Sequence, residues 1–462
     1  MSWALHPDVL EPRVLLSHLH RVRQEMANQT YGPPLIPEED FEEIERVLVG
    51  SSATSRALYA GSHSDRPPTS TFLAGHPGTS IFQGVLAHCV EPLLPTDDLG
   101  RPNPLAHWAD EVKDICRRFG PCDPRWIEVR LHELLTRDVH PFVKPPDRPT
   151  RIGDLAEVIL VGDWATALPQ AIRVSNAIRA RLQESPALER HVIHLGDTYY
   201  CGLREEYEHR FLPDWPVDPG SEVSSWSLNG NHDMYAGGHG YFQTLLADAR
   251  FRRQQGSSNF ILRNRHWQVV GLDSAYQSPD DPSLSAGQKD WLRQAINGDR
   301  AINGEGQGED EPPQTILLSH HQGFTAFGDS PVSGKLAADV TDGLNGSRVA
   351  GWIWGHEHRA TVYATDISVP HYDRVAGYTA TIGNGGVPQL LTIGGLPETT
   401  VDEHLVAPSR GGWQFDGRYT VEEDTWALGG YAVLSFHERL LEVTYFDENG
   451  TRRHGPTVIE PV

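Results

Sequence analysis

The sequence predicts an α/β fold of mixed sheets with flanking helices, preceded by a mainly helical N-terminal extension. Three observations lead there. The succession AEVILVGD, QAIRVSNAIRARLQE and HVIHLGD reads as a βαβ unit, whose crossover favours parallel pairing and a sheet covered by helices. The C-terminal segment GYAVLSFHERLLEVTYFDENG alternates apolar and polar residues about a turn near residues 437–439, as an antiparallel hairpin does. Five short apolar runs each end in a side chain able to bind a metal. They are AEVILVGD (Asp163), RHVIHLGDTYY (Asp197 and Tyr200), WSLNGNHD (Asn231 and His232), QTILLSHH (His320) and GWIWGHEH (His356 and His358).

The 462 residues divide into a region of about 1–143 and a second of about 151–462. The first opens with irregular sequence and then places Phe41, Ile44, Val47 and Leu48 at helical spacing behind Pro37. LAHWADEVKDICRRF and PRWIEVRLHELLTR are two further amphipathic segments. KPPDRPTR, at 144–151, carries three prolines and marks the boundary. Beyond the βαβ unit come NFILR and HWQVVGLD as strands, GQKDWLRQAI as a helix, and QTILLSH and VAGWIWG as strands. The Gly-rich, acidic stretch at 297–313 reads as an exposed loop.

A net charge of −23 argues against a long nucleic-acid footprint, which needs a basic surface. It does not exclude a small phosphate ester, because bound metals reverse charge locally. The four cysteines, Cys89, Cys116, Cys122 and Cys201, form no CxxC pair and read as free thiols. No basic N-terminal segment precedes an apolar stretch, and no run reaches the ~20 apolar residues of a membrane span. The expected location is cytoplasmic, without membrane attachment; the oligomeric state is left open.

In open α/β sheets, functional side chains collect beyond the carboxyl ends of the strands. Gly162, Gly196, Gly230 and Gly355 each precede a candidate ligand by one residue. Glycine there suits a sharp turn that aims the next side chain inward. Oxygen and imidazole donors gathered from five strand ends describe a two-metal hydrolytic centre.

The ordered set GDW (162–164), GDTYY (196–200), GNHD (230–233), LLSH (317–320) and GHEH (355–358) resembles the calcineurin-like metallophosphoesterase superfamily. The resemblance covers about 151–443 and implies a four-layer α/β/β/α sandwich of mixed sheets. It departs at one point. Most of the superfamily carries DxH in the first motif, and here Ala165 stands two residues after Asp163. Tyr200, three residues after Asp197, is the candidate replacement, as in the purple acid phosphatase-like branch. Its other reading is a core aromatic. The resemblance implies a first metal on Asp163, Tyr200 and His358, a second on Asn231, His320 and His356, and Asp197 bridging both. A phenolate donor suits Fe³⁺ beside Fe²⁺, Zn²⁺ or Mn²⁺.

The implied reaction is hydrolysis of small phosphomonoesters by a metal-bound hydroxide, with ions ~3.5–4 Å apart. His232 is the candidate general acid, oriented by Asp233, or else a hydrogen-bond partner behind the ligands. His321 is expected to line the substrate pocket, and Tyr235 and His239 either touch substrate or belong to a connecting loop. Lys335 and Arg359 read as solvated charges, with phosphate contact as the alternative. Two other functions fit the same sequence. One is a phosphodiesterase acting on cyclic nucleotides or nucleotide derivatives. The other is a non-catalytic scaffold or regulatory protein with a vestigial metal site.

Overall fold

The computed structural model describes residues 138–462, apart from 185–187, 298–311, 329–331, 366, 368, 370–371, 373–374, 394–395, 398 and 422–423. The expected N-terminal helices and most of the acidic loop at 297–313 lie outside the described residues. One compact unit comprises His140–Met234 and Gly238–Val462. Tyr235–Gly237 group with Met1–Val139 in the other.

A short β1 (Thr150–Arg151) leads into β2 (Leu155–Val161), α1 (Pro169–Glu184) and β3 (Glu189–His194). This is the expected βαβ unit, with β2 and β3 parallel. Proline at the first position of α1 suits a helix start, where its missing N–H has no partner to lose. β4 (Ser224–Ser227) adds a third parallel strand and is followed by the one-turn α2 (Asn231–Tyr235). β5 (Phe260–Arg263) and β6 (Trp267–Leu272) form an antiparallel pair that begins a second sheet. It continues through α3 (Ala286–Asn297), β7 (Gln314–Ser319), α4 (Lys335–Leu344), β8 (Val349–Trp354), β9 (Ala360–Val362) and β10 (Ala376–Ile382). Strands β6, β7, β8 and β10 are parallel to one another.

A small antiparallel sheet follows. It is built from β11 (Leu390–Ile393), β12 (Leu396–Pro397), β14 (Arg418–Val421) and β15 (Asp424–Ala427), while β13 (Trp413–Gln414) returns to the edge of the second sheet. The chain closes with β16 (Gly430–His437), β17 (Leu440–Asp447) and β18 (Arg452–Val458). β16 and β17 are the expected hairpin, and Glu438 at its turn adopts φ 56°. β16 docks antiparallel on β2, giving a six-stranded sheet in the order β18-β17-β16-β2-β3-β4. The other large sheet has eight strands, β1-β5-β6-β7-β8-β10-β9-β13.

Side-chain alternation stacks these sheets face to face. Val158, Leu160, Ile193 and Trp226 share one core with Val269, Ile316, Leu318 and Ile353. On the outer face of the six-stranded sheet, Ile159, Val161 and Val192 pack against Val174 and Ile178 of α1. On the outer face of the other sheet, Val270, Leu317 and Trp352 pack against Leu292 of α3 and Leu336 and Val340 of α4. The result is α/β/β/α. Burial on both faces explains why the strands read as unbroken apolar runs, each buried Leu or Ile contributing roughly 1.5–3 kcal/mol.

Candidate metal centre

The parallel strands of both sheets point their carboxyl ends at one place. Asp163 follows β2, Asp197 follows β3, and Asn231 and His232 open the helix after β4. His320 follows β7, and His356 and His358 follow β8. Hydrogen bonds lock these ends together. Asp163 N–H donates to Gly196 O at 3.1 Å, and Gly355 N–H donates to His320 O at 3.0 Å.

The candidate ligand residues themselves carry the unusual backbone. Asp163, Asp197, His356 and His358 have φ of 56°, 74°, 66° and 49°. Left-handed backbone at non-glycine residues is costly and clusters at functional sites. Of the four glycines expected to make turns, only Gly196 has a positive φ, at 106°. Gly230 serves close approach instead. A Cβ there would lie 2.0 Å from Asp197 Oδ1 and 2.7 Å from His320 Nε2.

Two donor groups overlap. Ligand atoms of Asp163, Asp197 and His320 lie within 4.8 Å of one another, as do those of His320, His321 and His356. His320 Nδ1 lies 2.9 Å from Leu195 O. Nδ1–H therefore donates to that carbonyl and Nε2 faces the centre, the arrangement of a metal-ligating histidine. Nε2 is 3.1 Å from Asn231 Oδ1, 3.2 Å from His356 Nδ1 and 3.3 Å from Asp197 Oδ2. On the other side, His358 Nε2 is 3.5 Å from Asp163 Oδ1.

The phenol in the cluster belongs to Tyr199, not Tyr200. Tyr199 Oη lies 3.1 Å from Asp163 Oδ1, 3.4 Å from Asp197 Oδ2 and 2.9 Å from His358 Nε2. Tyr200 turns its ring under the Arg210 guanidinium, 5.5 Å away. The cause lies in the loop's hydrogen bonds. Asp233 accepts from Thr198 N–H at 3.1 Å on one side of Tyr199. Glu206 accepts from the N–H groups of Tyr200, Cys201 and Leu203 on the other. Residue 199 is thereby the one that faces Asp163. Ala165 is fully buried beneath this loop and forms an isolated parallel bridge with Thr198.

Asp233 also departs from expectation. Its carboxylate accepts from Gly230 N–H at 2.7 Å, Asp197 N–H at 2.8 Å and the Tyr207 hydroxyl. It braces the ligand loops, because it sits in the first turn of α2 where several backbone donors converge. The His232 ring is instead oriented by Tyr200 O, 2.7 Å from Nδ1. Its Nε2 lies 3.9 Å from Asp197 Oδ2, and its ring centroid is 4.5 Å from that of Tyr199. His321 is buried, with Nδ1 3.0 Å from Ser274 Oγ. His239 neighbours His140, edge-on at 5.7 Å, and Gln243, while Tyr235 closes α2 as a buried residue. Lys335 pairs with Asp281 at 2.8 Å on the surface. Arg359 is not a solvated charge: it is buried over the Phe327 ring at 4.4 Å.

The donor set fits cations. Asp163 and Asp197 are 0% and 1% exposed, and among the described residues their ion-pair partners are imidazoles. Buried carboxylates without a strong cation are costly. Burial opposes a charge on His320, yet the Asp197 and Asp163 carboxylates lift its pKa to about 9. Burial, reinforced by repulsion from neighbouring histidines, holds His356 and His358 down at about 3. Of these three histidines, His320 is the one that holds its proton. Burial, then Asp163 and Asp197, push the Tyr199 phenol well up; a cation beside it reverses that balance.

The family model for calcineurin-like phosphoesterases matches residues 156–360, a span that contains all of these donors. Residues 156–360 form a calcineurin-like phosphoesterase domain. The strand ends and the donor cluster lie within that domain. No curated protein matches the sequence. Among solved structures, the chain is similar to a purple acid phosphatase from yellow lupin (Lupinus luteus) seeds, at 12% identity and TM-score 0.42, over 66% of this chain and 53% of that one. The chain thus spans about half the length of the lupin structure. It is also similar to GAP50, the anchor in the inner membrane complex of Plasmodium, at 10% identity and TM-score 0.44, over 66% and 89%. A third similarity is to a cold-active protein-tyrosine phosphatase of a psychrophile Shewanella, at 12% identity and TM-score 0.28, over 70% and 83%. No helix among the described residues is long and apolar enough to cross a membrane.

The phosphoesterase domain has supporting residues that the sequence did not single out. Asp273 directly follows β6 and is fully buried. It accepts from Asn229 Nδ2 at 3.2 Å and from Ala275 and Tyr276 N–H, tying β6 to the loop that carries Asn231. A signal was present: HWQVVGLD ends in an acid, as AEVILVGD does.

Proposed function

We propose that the domain is a dinuclear, purple acid phosphatase-like hydrolase of small phosphomonoesters, with Fe³⁺ beside Fe²⁺, Zn²⁺ or Mn²⁺. The observation that carries this is the position of Asp197 Oδ2, flanked by Tyr199 Oη at 3.4 Å and His320 Nε2 at 3.3 Å. One carboxylate oxygen faces both donor groups, as a bridging ligand does. Asp163, Tyr199 and His358 would hold one ion, and Asn231, His320 and His356 the other. Bound metals supply Lewis-acid charge and a nucleophile at neutral pH.

The chain's own residues would do the rest. With Nδ1–H donated to Tyr200 O, a protonated His232 presents Nε2–H to the centre, where a leaving oxygen would need a proton. The half-buried His356 and His358 put the opening of the site on their side. A small phosphate ester suits a net charge of −23 better than a nucleic acid, whose binding draws on an extended basic surface. The sequence-based expectation of a cytoplasmic location belongs to the same proposal.

The test is elemental analysis of the purified protein, followed by turnover of p-nitrophenyl phosphate and bis-p-nitrophenyl phosphate. Two metals per chain and preference for the monoester are expected. Preference for the diester would replace the phosphatase reading with a phosphodiesterase. Failure to retain metal after growth with iron, zinc and manganese would leave a scaffold with a vestigial site.

A further inference from the structure

We infer that His321 is a metal donor, which completes a nitrogen-rich pocket with His320 and His356. The inference rests on the metal-centre reading above and removes His321 from the substrate-contact residues.

Geometry comes first. Donor atoms of His320, His321 and His356 lie within 4.8 Å of one another. The ring centroids are 4.8 Å apart for His320–His321, 4.7 Å for His321–His356 and 5.1 Å for His320–His356. Three imidazoles gathered around one point are poorly explained as a substrate wall, because they offer that point lone pairs rather than a surface.

The second observation is an orphan. His321 is 3% exposed, and its Nε2 has no hydrogen-bond partner among the described residues. A buried ring nitrogen without a partner is expensive unless something absent from the coordinates occupies it. The opposite nitrogen is already held. Ser274 Oγ lies 3.0 Å from His321 Nδ1 and accepts the His321 backbone N–H at 3.2 Å. Nδ1–H donated to Ser274 Oγ leaves a lone pair on Nε2, the pattern of an oriented metal-ligating histidine. Ser274 is itself fixed, because Asp273 beside it accepts two backbone N–H groups of the following turn. The competitor for Nε2 is the Pro279 carbonyl, which faces the ring. The opposite tautomer would donate Nε2–H there and bind no metal.

The consequence is chemical asymmetry. One pocket holds Asn231 with three imidazoles, and the other holds Asp163, Tyr199 and His358, with Asp197 shared. The first suits a borderline divalent ion such as Zn²⁺ or Fe²⁺, and the second a harder ion.

The test uses the full chain stripped of metal and titrated with Zn²⁺ against a chromophoric chelator, alongside the Co²⁺ visible spectrum. Wild type, His321→Ala and Ser274→Ala are compared, with circular dichroism to check folding. The wild type should take up two ions. His321→Ala should weaken one of the two by at least about 100-fold and alter the Co²⁺ bands, while Ser274→Ala weakens the same ion by about 10–100-fold. Wild-type affinity and an unchanged Co²⁺ spectrum in His321→Ala would overturn the inference. If that variant does not fold, unchanged affinity in Ser274→Ala does the same. A wild type that takes up no metal would instead sink the metal centre itself, a result read before any variant is made.

Discussion

Replacing Tyr199 by phenylalanine removes one oxygen from a position that touches three proposed ligands. Tyr199 is 0% exposed, and its hydroxyl lies 2.9–3.4 Å from His358 Nε2, Asp163 Oδ1 and Asp197 Oδ2. In the metal-free protein Tyr199→Phe deprives a buried carboxylate of a donor, which costs about 1–3 kcal/mol in equilibrium denaturation. In the iron-loaded protein it removes the phenolate. The visible tyrosinate-to-Fe³⁺ band should vanish and iron should dissociate more readily against a chelator. Tyr200→Phe is the control. Phenylalanine there keeps the Tyr200 N–H to Glu206, the carbonyl to His232 and the ring under Arg210. The band should survive there. A band that persists in Tyr199→Phe and is lost in Tyr200→Phe would refute the placement of the loop and restore the spacing read from GDTYY.

Three further outcomes are expected. Gly230→Ala places a Cβ 2.0 Å from Asp197 Oδ1, so metal uptake by elemental analysis should fall sharply while far-ultraviolet circular dichroism stays native; full uptake would count against convergence at Asp197. Ile178→Ala opens a void between α1 and the six-stranded sheet and should cost about 2–5 kcal/mol in urea unfolding, with metal content unchanged. His194 is buried neutral, its pKa held at about 3 by burial. The unfolded chain takes up that proton below about pH 6.5 and the folded chain does not, so stability is full above that pH and is lost as pH falls toward 3. Between pH 7 and 5 the wild type should lose roughly 2 kcal/mol more than His194→Gln in urea unfolding; equal losses would show that His194 is protonated in the folded state.

Much of this architecture was legible because it rests on local patterns. Two-sided burial makes β2, β3, β7 and β8 continuous apolar runs, and an abrupt polar donor marks where each leaves the core. Asp163, Asp197, Asn231, His320, His356 and His358 could be named on that basis, and the structure brings them to one place. Tyr199 was not legible, because the choice between adjacent tyrosines is made by Glu206 and Asp233, which lie 7 and 34 residues further along the chain. Asp233 was misread for a related reason. Its neighbour His232 is close in sequence, but two of its hydrogen-bond donors, the N–H groups of Asp197 and Thr198, come from another strand's loop. The small sheet of β11, β12, β14 and β15 left no strong signal. Its strands are short and only partly buried, so alternation is weak.

The backbone angles connect fold to chemistry. Four residues that supply donors sit in left-handed conformations, each carrying a cost of order 1–3 kcal/mol for a non-glycine side chain. A sequence selected for stability alone would place glycine or asparagine there. Asp163, Asp197, His356 and His358 persist because the surrounding bonds over-determine them: Asp163 Oδ2 accepts His356 N–H at 2.8 Å, and Asp197 Oδ1 accepts His232 N–H at 3.0 Å. Each carboxylate therefore spends one oxygen on fixing a neighbouring histidine's backbone. The other oxygen of each faces Tyr199 Oη, at 3.1 Å from Asp163 Oδ1 and 3.4 Å from Asp197 Oδ2. Rigid backbone on one side and a pair of carboxylate oxygens turned to a shared set of phenol and imidazole donors on the other is what a preorganised cation site requires. The donors come from the strand ends of both sheets, so the bonds that hold each strained residue are made between the layers, as Asp163 Oδ2 with His356 N–H shows.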